Sequence, residues 1–400
     1  MIKRNKYTSI KLHSTVKEYT ILIGARQTGK STLLKQLAID LRESKKQVVF
    51  FNLDRKELLL DFNQNPENIF KYFTVEAESR VYALIDEIQY LDDPANFLKL
   101  LYDEYADKLK IIATGSSAFY IDRQFKDSLM GRKKIFELQT LDFEEFLLFK
   151  NVSFLVDELV LIRQNKLVKS VFEGQLWAFL DEYINYGGYP AVVLESDIAA
   201  KIERLQEIKD AYVKIDFLEA GITDESKFYR LLILLASQTG NLLNINELSN
   251  TLKLSSITIE NYLFVLQKCF YITLVKPYFQ NLRKELTKMP KIYFNDLGLR
   301  NVLINYFSPV EQRADKGALL ENFVYRRQQE LWNKDQIKFW RTADGNEIDF
   351  IIETSFQQGE AIEVKFSEGE VKPSKYRKFT EEYPNFPLRF LTWRATDLLK

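Results

Sequence analysis

The sequence predicts an α/β protein: a nucleotide-binding core on a parallel sheet, then a helical and winged-helix segment, then a second, small α/β domain. Three observations carry this. Residues 24–31, GARQTGKS, fill the spacing G-x-x-x-x-G-K-[ST] between an apolar run and a run with helical spacing. Strand-like and helix-like segments alternate from residue 19 to 140, as a parallel sheet with crossover helices requires. After a long helical stretch, four strand-like runs return near the end of the chain.

The first strand, 19–24, feeds the Gly-rich loop and a helix over 30–44. Residues 1–18 are basic and polar, lead into that strand and are placed to cover a nucleotide base. QVVFFNLD, 47–54, reads as a second buried strand, and NPENIFKYF, 65–73, starts a helix at Pro66. VYALIDE, 81–87, is a strand ending in two acids. FLKLLYDEYAD, 97–107, has helical spacing. KIIATGSS, 110–117, is a strand ending in small polar residues, and RKKIFELQT, 132–140, closes the series. In such sheets ligands bind at the carboxyl ends of the strands.

Helical apolar spacing dominates from 141, broken by Tyr186-Gly187-Gly188-Tyr189-Pro190. NINELSNTLKL and SSITIENYLFVLQKCF then read as two helices joined by a tight turn. A ribbon over 271–296 completes a winged-helix pattern. KGALLENFVYRRQQELWNK, 316–334, is a long helix; IKFWRT, NEIDFIIE, EAIEVKF and PLRFLTW are strands, with a helix over 372–383 before the last. The expected division is 1–150, 151–311 and 312–400.

Composition narrows the functional classes. The 56 basic and 56 acidic residues balance, so any nucleic-acid contact must be local. One cysteine excludes an internal disulfide, and one histidine argues against a histidine-rich zinc site or a serine–histidine triad. No apolar run reaches membrane length, and the N-terminus lacks an apolar signal core, so a cytoplasmic protein without membrane partners is expected.

The loop residues Gly24, Ala25, Arg26, Gln27, Thr28, Gly29, Lys30, Ser31 and Thr32 are the expected ATP site. The glycines let successive N–H groups face one polyphosphate, and the next helix contributes its positive end. Lys30 is expected on the β- and γ-phosphates, and the Ser31 hydroxyl on Mg²⁺. Asp86 is the second magnesium-side group, and Glu87 the base that deprotonates the attacking water. Thr114 or Ser116 can contact the γ-phosphate or that water, and Gln89 can touch the water. Arg132 is placed to stabilise the transferring phosphoryl group, donated across a subunit boundary in an ATP-bound homo-oligomer.

GARQTGKSTLL, LIDEIQYL, IIATGSSA, LMGRKKIFEL, FEEFL, NYGGYPAVVL, KIYFNDLGLRN, GALLENFVY and EIDFII…IEVK together resemble, in order, a widespread prokaryotic family. That family has an AAA+-like ATPase core, a winged-helix middle and a C-terminal domain of unknown function related to the PD-(D/E)xK nuclease fold. The resemblance covers nearly the whole chain. It implies ATP binding by Gly24 to Thr32 and handling of magnesium and water by Asp86 and Glu87.

Near the C-terminus, Asp349 lies on one strand, and Glu363 and Lys365 lie one residue apart on the next, so they share a face. A hairpin at 354–359 brings Asp349 beside them, and Glu321 comes from the preceding helix. Such carboxylates can bind Mg²⁺ or Mn²⁺ while the lysine positions a water, which fits PD-(D/E)xK. Two readings stand: a DNA-acting ATPase with a nuclease-like site for branched or single-stranded DNA, and a signalling or assembly ATPase whose nuclease-like domain is a protein scaffold. Lys372, Lys375, Arg377 and Lys378 are a local basic cluster. Arg283, Lys284, Lys288 and Lys291, near the ribbon tip, suggest contact with a phosphate backbone.

Overall fold

In a computed structural model, the described residues are 2–74, 80–115, 129–166, 170–212, 215, 217–218, 220–222, 224–279, 285, 288–342 and 344–399. Ser116, Arg283 and Lys284 lie outside them. The chain divides into two compact units. One holds residues 1–140 with 268–270, and the other 141–267 with 271–400.

The first unit follows the alternation read from the sequence. Its elements are α1 (Tyr7–His13), β1 (Tyr19–Ile23), α2 (Lys30–Glu43), β2 (Gln47–Asn52), α3 (Lys56–Gln64), β3 (Val81–Asp86), α4 (Pro94–Tyr105), β4 (Leu109–Gly115) and β5 (Lys133–Glu137). Residues 66–72 form a 3₁₀ turn in place of the expected helix, started by the Asn65 side chain accepting from the Glu67 N–H. All five strands are parallel, in the order β2-β3-β4-β1-β5. Every residue of β1, β3 and β4 is buried. Two-sided burial is why these strands read as continuous apolar runs and not as alternating ones.

The second unit begins with α5 (Phe143–Phe149), α6 (Ser153–Arg163), α7 (Glu173–Tyr186), α8 (Pro190–Leu194), α9 (Ile198–Glu207) and α10 (Glu225–Ser237). A capping box of Asp142 and Glu145 starts α5. Next come α11 (Ile245–Leu252), α12 (Ser256–Lys268) and the antiparallel pair β6 (Ile272–Val275) and β7 (Lys291–Phe294), which together make the winged helix. The chain ends with α13 (Leu297–Leu303), α14 (Lys316–Leu331), β8 (Ile337–Arg341), β9 (Glu347–Ser355), β10 (Gln358–Lys365), α15 (Arg377–Glu382) and β11 (Leu388–Thr392). The last sheet has the order β11-β10-β9-β8. One core runs through this unit, joining Leu155, Trp177 and Tyr183 to Val275 and Tyr293, and these to Phe323, Tyr325, Phe350 and Trp393. No helix among the described residues is long and apolar enough to cross a membrane.

The glycine-rich break at 186–190 and the NDLGLRN segment lock to each other. The Asp296 carboxylate accepts from the Gly188 N–H (2.8 Å), and the Asn301 amide donates to the carbonyls of Ile184 (3.0 Å) and Asn185 (2.9 Å). Gly298 lies so close to α7 that a Cβ there would stand 2.1 Å from the Tyr186 carbonyl oxygen. Behind this contact, Arg313 and Arg300 are both buried around Asp315. Burial opposes the Asp315 charge, but hydrogen bonds from the two guanidiniums outweigh it and hold the carboxyl at about 2. Gly298→Ala should cost this unit about 2–3 kcal/mol through overpacking, read as a lowered denaturant midpoint with an unchanged slope.

Candidate functional sites

The phosphate loop leaves β1 through Gly24 and enters α2 at Lys30. Backbone conformation explains its glycines. Gly29 caps α2 with φ +92°, and a Cβ on Gly24 would lie 2.1 Å from the Leu138 carbonyl oxygen. Gln27 also has positive φ, +59°. The Thr28 hydroxyl donates to the Ala25 carbonyl at 2.9 Å and tightens the turn. The Lys30 ammonium, almost fully buried, reaches over the loop to the carbonyls of Gly24 (3.0 Å) and Ala25 (2.7 Å).

The parallel register sets the next groups beside this loop. Asp86 ends β3, and its carboxylate accepts from the Ser31 hydroxyl at 3.0 Å and from the Thr114 hydroxyl. The Thr114 oxygen in turn accepts from the Glu87 N–H at 3.1 Å. Glu87 sits in the left-handed region with φ +61°, a conformation that costs a non-glycine residue on the order of 1 kcal/mol or more. Its carboxylate accepts from the Gln89 amide. Ser31, Asp86, Thr114, Glu87 and Gln89 thus form one continuous hydrogen-bonded chain at the carboxyl edge of β3 and β4. Ser31 and Asp86 present oxygen donors side by side, the donor type that magnesium prefers. Arg132 stands elsewhere, just before β5, in a two-pronged pair with Asp103 (2.6 and 3.2 Å).

Arg4 is a member of this site that sequence reasoning missed. Its guanidinium donates to the Thr28 carbonyl at 2.7 Å and to the Gln139 carbonyl at 2.9 Å, pinning the loop to the segment after β5. Partners 24 and 135 residues away leave no local signal in sequence.

In the second unit, β9 and β10 pair antiparallel around a turn at 356–357 and bring Asp349, Glu363 and Lys365 together. Glu363 accepts from the Asp349 N–H (3.3 Å), the Tyr376 hydroxyl (2.7 Å) and the Lys365 ammonium. Asp349 accepts from the Val364 N–H at 2.9 Å. Glu321, on α14, meets Asp349 through a group absent from the sequence reading of this site, the Lys291 ammonium. Lys291 reaches Glu321 at 2.9 Å, Asp349 at 3.3 Å and Glu347 at 2.5 Å. The Tyr293 hydroxyl also donates to Glu321. Burial and the neighbouring Asp349 push both Glu321 and Glu363 up to about 7, against the pull of the lysines and tyrosines. Lys291 is 1% exposed, so the phosphate contact expected of it at the ribbon tip is corrected: it faces inward from β7. Three acids, Glu321, Glu347 and Asp349, converge on the Lys291 ammonium, which fills the space between them. The donor set therefore does not fit a divalent ion in this arrangement.

Comparison with known proteins adds three family matches: an AAA domain over residues 16–147, a domain of unknown function (DUF8612) over 178–309, and another (DUF4143) over 316–392. The AAA match and the five-stranded parallel sheet agree on an AAA+-like P-loop fold for the first unit. An uncharacterized protein of Haemophilus influenzae is 28% identical over 83% of this chain and 78% of its own length. An uncharacterized protein of Methanocaldococcus jannaschii is 30% identical over 77% of this chain and 67% of its own. Among solved structures, the Aeropyrum pernix ORC2 protein in its ADP form is 13% identical with a TM-score of 0.37, covering 76% of this chain and 94% of that one.

The Arg4 contact generates a prediction. Arg4→Ala should weaken ATP binding roughly tenfold, the worth of a charge-assisted hydrogen bond, in an equilibrium titration with a fluorescent ATP analogue. An unchanged Kd would show that the loop holds its shape without this clamp.

Proposed function

The chain belongs to the family of the Methanocaldococcus jannaschii protein that is 30% identical to it, and from that premise we propose that it is a magnesium-dependent ATPase acting as a conformational switch. The observation that carries this reading is the hydrogen-bonded chain from Ser31 through Asp86 and Thr114 to Glu87, set beside the Lys30 loop. In it, residues 24–32 bind the phosphates, with Lys30 on the β- and γ-phosphates. Ser31 and Asp86 hold Mg²⁺, which supplies charge neutralisation for the phosphates when bound. Glu87 takes the proton of the attacking water, and its present bond to Gln89 must open first. Thr114 holds Asp86 and the Glu87 backbone in place. Arg132, released from Asp103, serves the γ-phosphate of a neighbouring copy in a homo-oligomer.

For the output, the reading divides the chain at 1–150, 151–311 and 312–400 and favours protein docking over DNA cutting. The outward face of α12, where a winged helix would read bases, carries Ile257, Glu260, Asn261 and Phe264, with Ile257 70% and Phe264 46% exposed. No lysine or arginine lies among these four, whereas phosphate and guanine contacts call for them. The PD-(D/E)xK-like frame of the end domain then serves as a scaffold.

Lys30→Ala should abolish ATP binding. Glu87→Gln should keep binding and lower hydrolysis by about 10²-fold or more. Glu87→Gln protein that turns over ATP at the wild-type rate would remove Glu87 as the base. For the output, fluorescence anisotropy with single-stranded and branched DNA should show no binding that falls steeply with salt. A steep salt slope would restore the DNA reading.

A further inference from the structure

The end-domain acids pose an electrostatic problem that Lys291 solves. Glu321 on α14 and Glu347 and Asp349 on β9 are three carboxylates around one point. Like charges at this spacing are tolerated only with a cation among them. In a metal-dependent nuclease frame that cation is a divalent ion. In this chain the ammonium of Lys291 stands there, with a side chain only 2% exposed. Lysine has three N–H donors, and Lys291 faces one oxygen from each of three acids, at 2.5, 2.9 and 3.3 Å.

Two further features keep the ammonium in place. Lys291 opens β7, whose backbone pairs with Val275 on β6 and bridges to Leu242. Two residues on, Tyr293 stacks on Tyr325 with ring centroids 4.6 Å apart and lies in the continuous core. The backbone that carries the lysine is thereby fixed in that core. Most of the oxygens a divalent ion would use already accept hydrogen bonds, two of them on Glu321 Oε1. Glu321 accepts from Lys291 and Tyr293, Asp349 from Lys291 and the Val364 N–H, and Glu363 from Tyr376, Lys365 and the Asp349 N–H.

We infer that Lys291 is the resident cation of the end-domain acid cluster, occupying the position of a divalent ion, so that the cluster takes up neither Mg²⁺ nor Mn²⁺. The site is an internal ionic clasp between the ribbon and the nuclease-like sheet. This deepens the scaffold reading above, on which its functional meaning rests, while the ion test stands apart from ATP turnover.

The experiment is Mn²⁺ titration of the nucleotide-free full chain, followed by electron paramagnetic resonance. It is done in an Asp86→Asn background so that the phosphate-loop site does not contribute. With Lys291 intact, no Mn²⁺ site tighter than about 1 mM is expected. Lys291→Met in the same background should gain such a site, with affinity raised at least about tenfold, and Mn²⁺ should raise its melting temperature. A submillimolar site with Lys291 intact overturns the inference, as does a folded Lys291→Met protein that gains none. If Lys291→Met does not fold, the first arm decides alone. ATP hydrolysis by the chain with Asp86 restored reports separately on the ATPase reading.

Discussion

Parallel strand pairing at β3, β4 and β1 is the constraint on which the first unit depends. Because β3 lies beside β4, and β4 beside β1, all in one direction, three strands end along the same edge. That edge is where Asp86, Thr114 and the phosphate loop meet. The carboxylate of Asp86 can then accept hydroxyl hydrogens from two different elements, Ser31 at the start of α2 and Thr114 near the end of β4. Complete burial of these strands excludes water from one side of the site and strengthens each polar contact there.

The second unit depends on a different device, buried charge satisfied from distant parts of the chain. Around Asp315, two guanidiniums are buried because they share one carboxylate and also find carbonyls, Arg300 at Ala236 and Arg313 at Tyr306. Arg313 also covers the Tyr306 ring at 4.1 Å. Around Lys291 the arithmetic is reversed, with three carboxylates for one ammonium, and burial together with the neighbouring Asp349 raises the Glu321 proton affinity. Removing one member of such a set leaves an uncompensated charge, which costs far more than an exposed ion pair contributes. These clusters join helices, ribbon and end sheet, and the shared core of Tyr293, Tyr325 and Phe350 follows the same route.

Two non-glycine residues at the phosphate-loop edge of the first unit, Gln27 and Glu87, have left-handed backbone. Glu87 is held with positive φ by the bond from its N–H to Thr114, and its side chain is turned toward Gln89. In the proposed mechanism this acid has two arrangements, held by Gln89 or released to the attacking water. That is the physical form a nucleotide-dependent switch requires.

Much of this was legible before any coordinates. The G-x-x-x-x-G-K-[ST] spacing, the two acids closing an apolar strand and the alternation of strand and helix depend on local backbone conformation and on burial. Both leave their mark within a few residues of sequence. The order helix, strand with Asp349, strand with Glu363 and Lys365 was legible for the same reason. The contacts that decide what these sites do were not. Arg4 reaches Thr28 and Gln139, Asp296 reaches Gly188, and Lys291 reaches Glu321 and Asp349. Each joins residues 24 or more positions apart. A lysine on a ribbon reads the same in sequence whether it faces a phosphate or a buried acid. Only the packing of β7 against α14 and β9 turned Lys291 inward, because three clustered carboxylates demand a cation and the fold carried one to them.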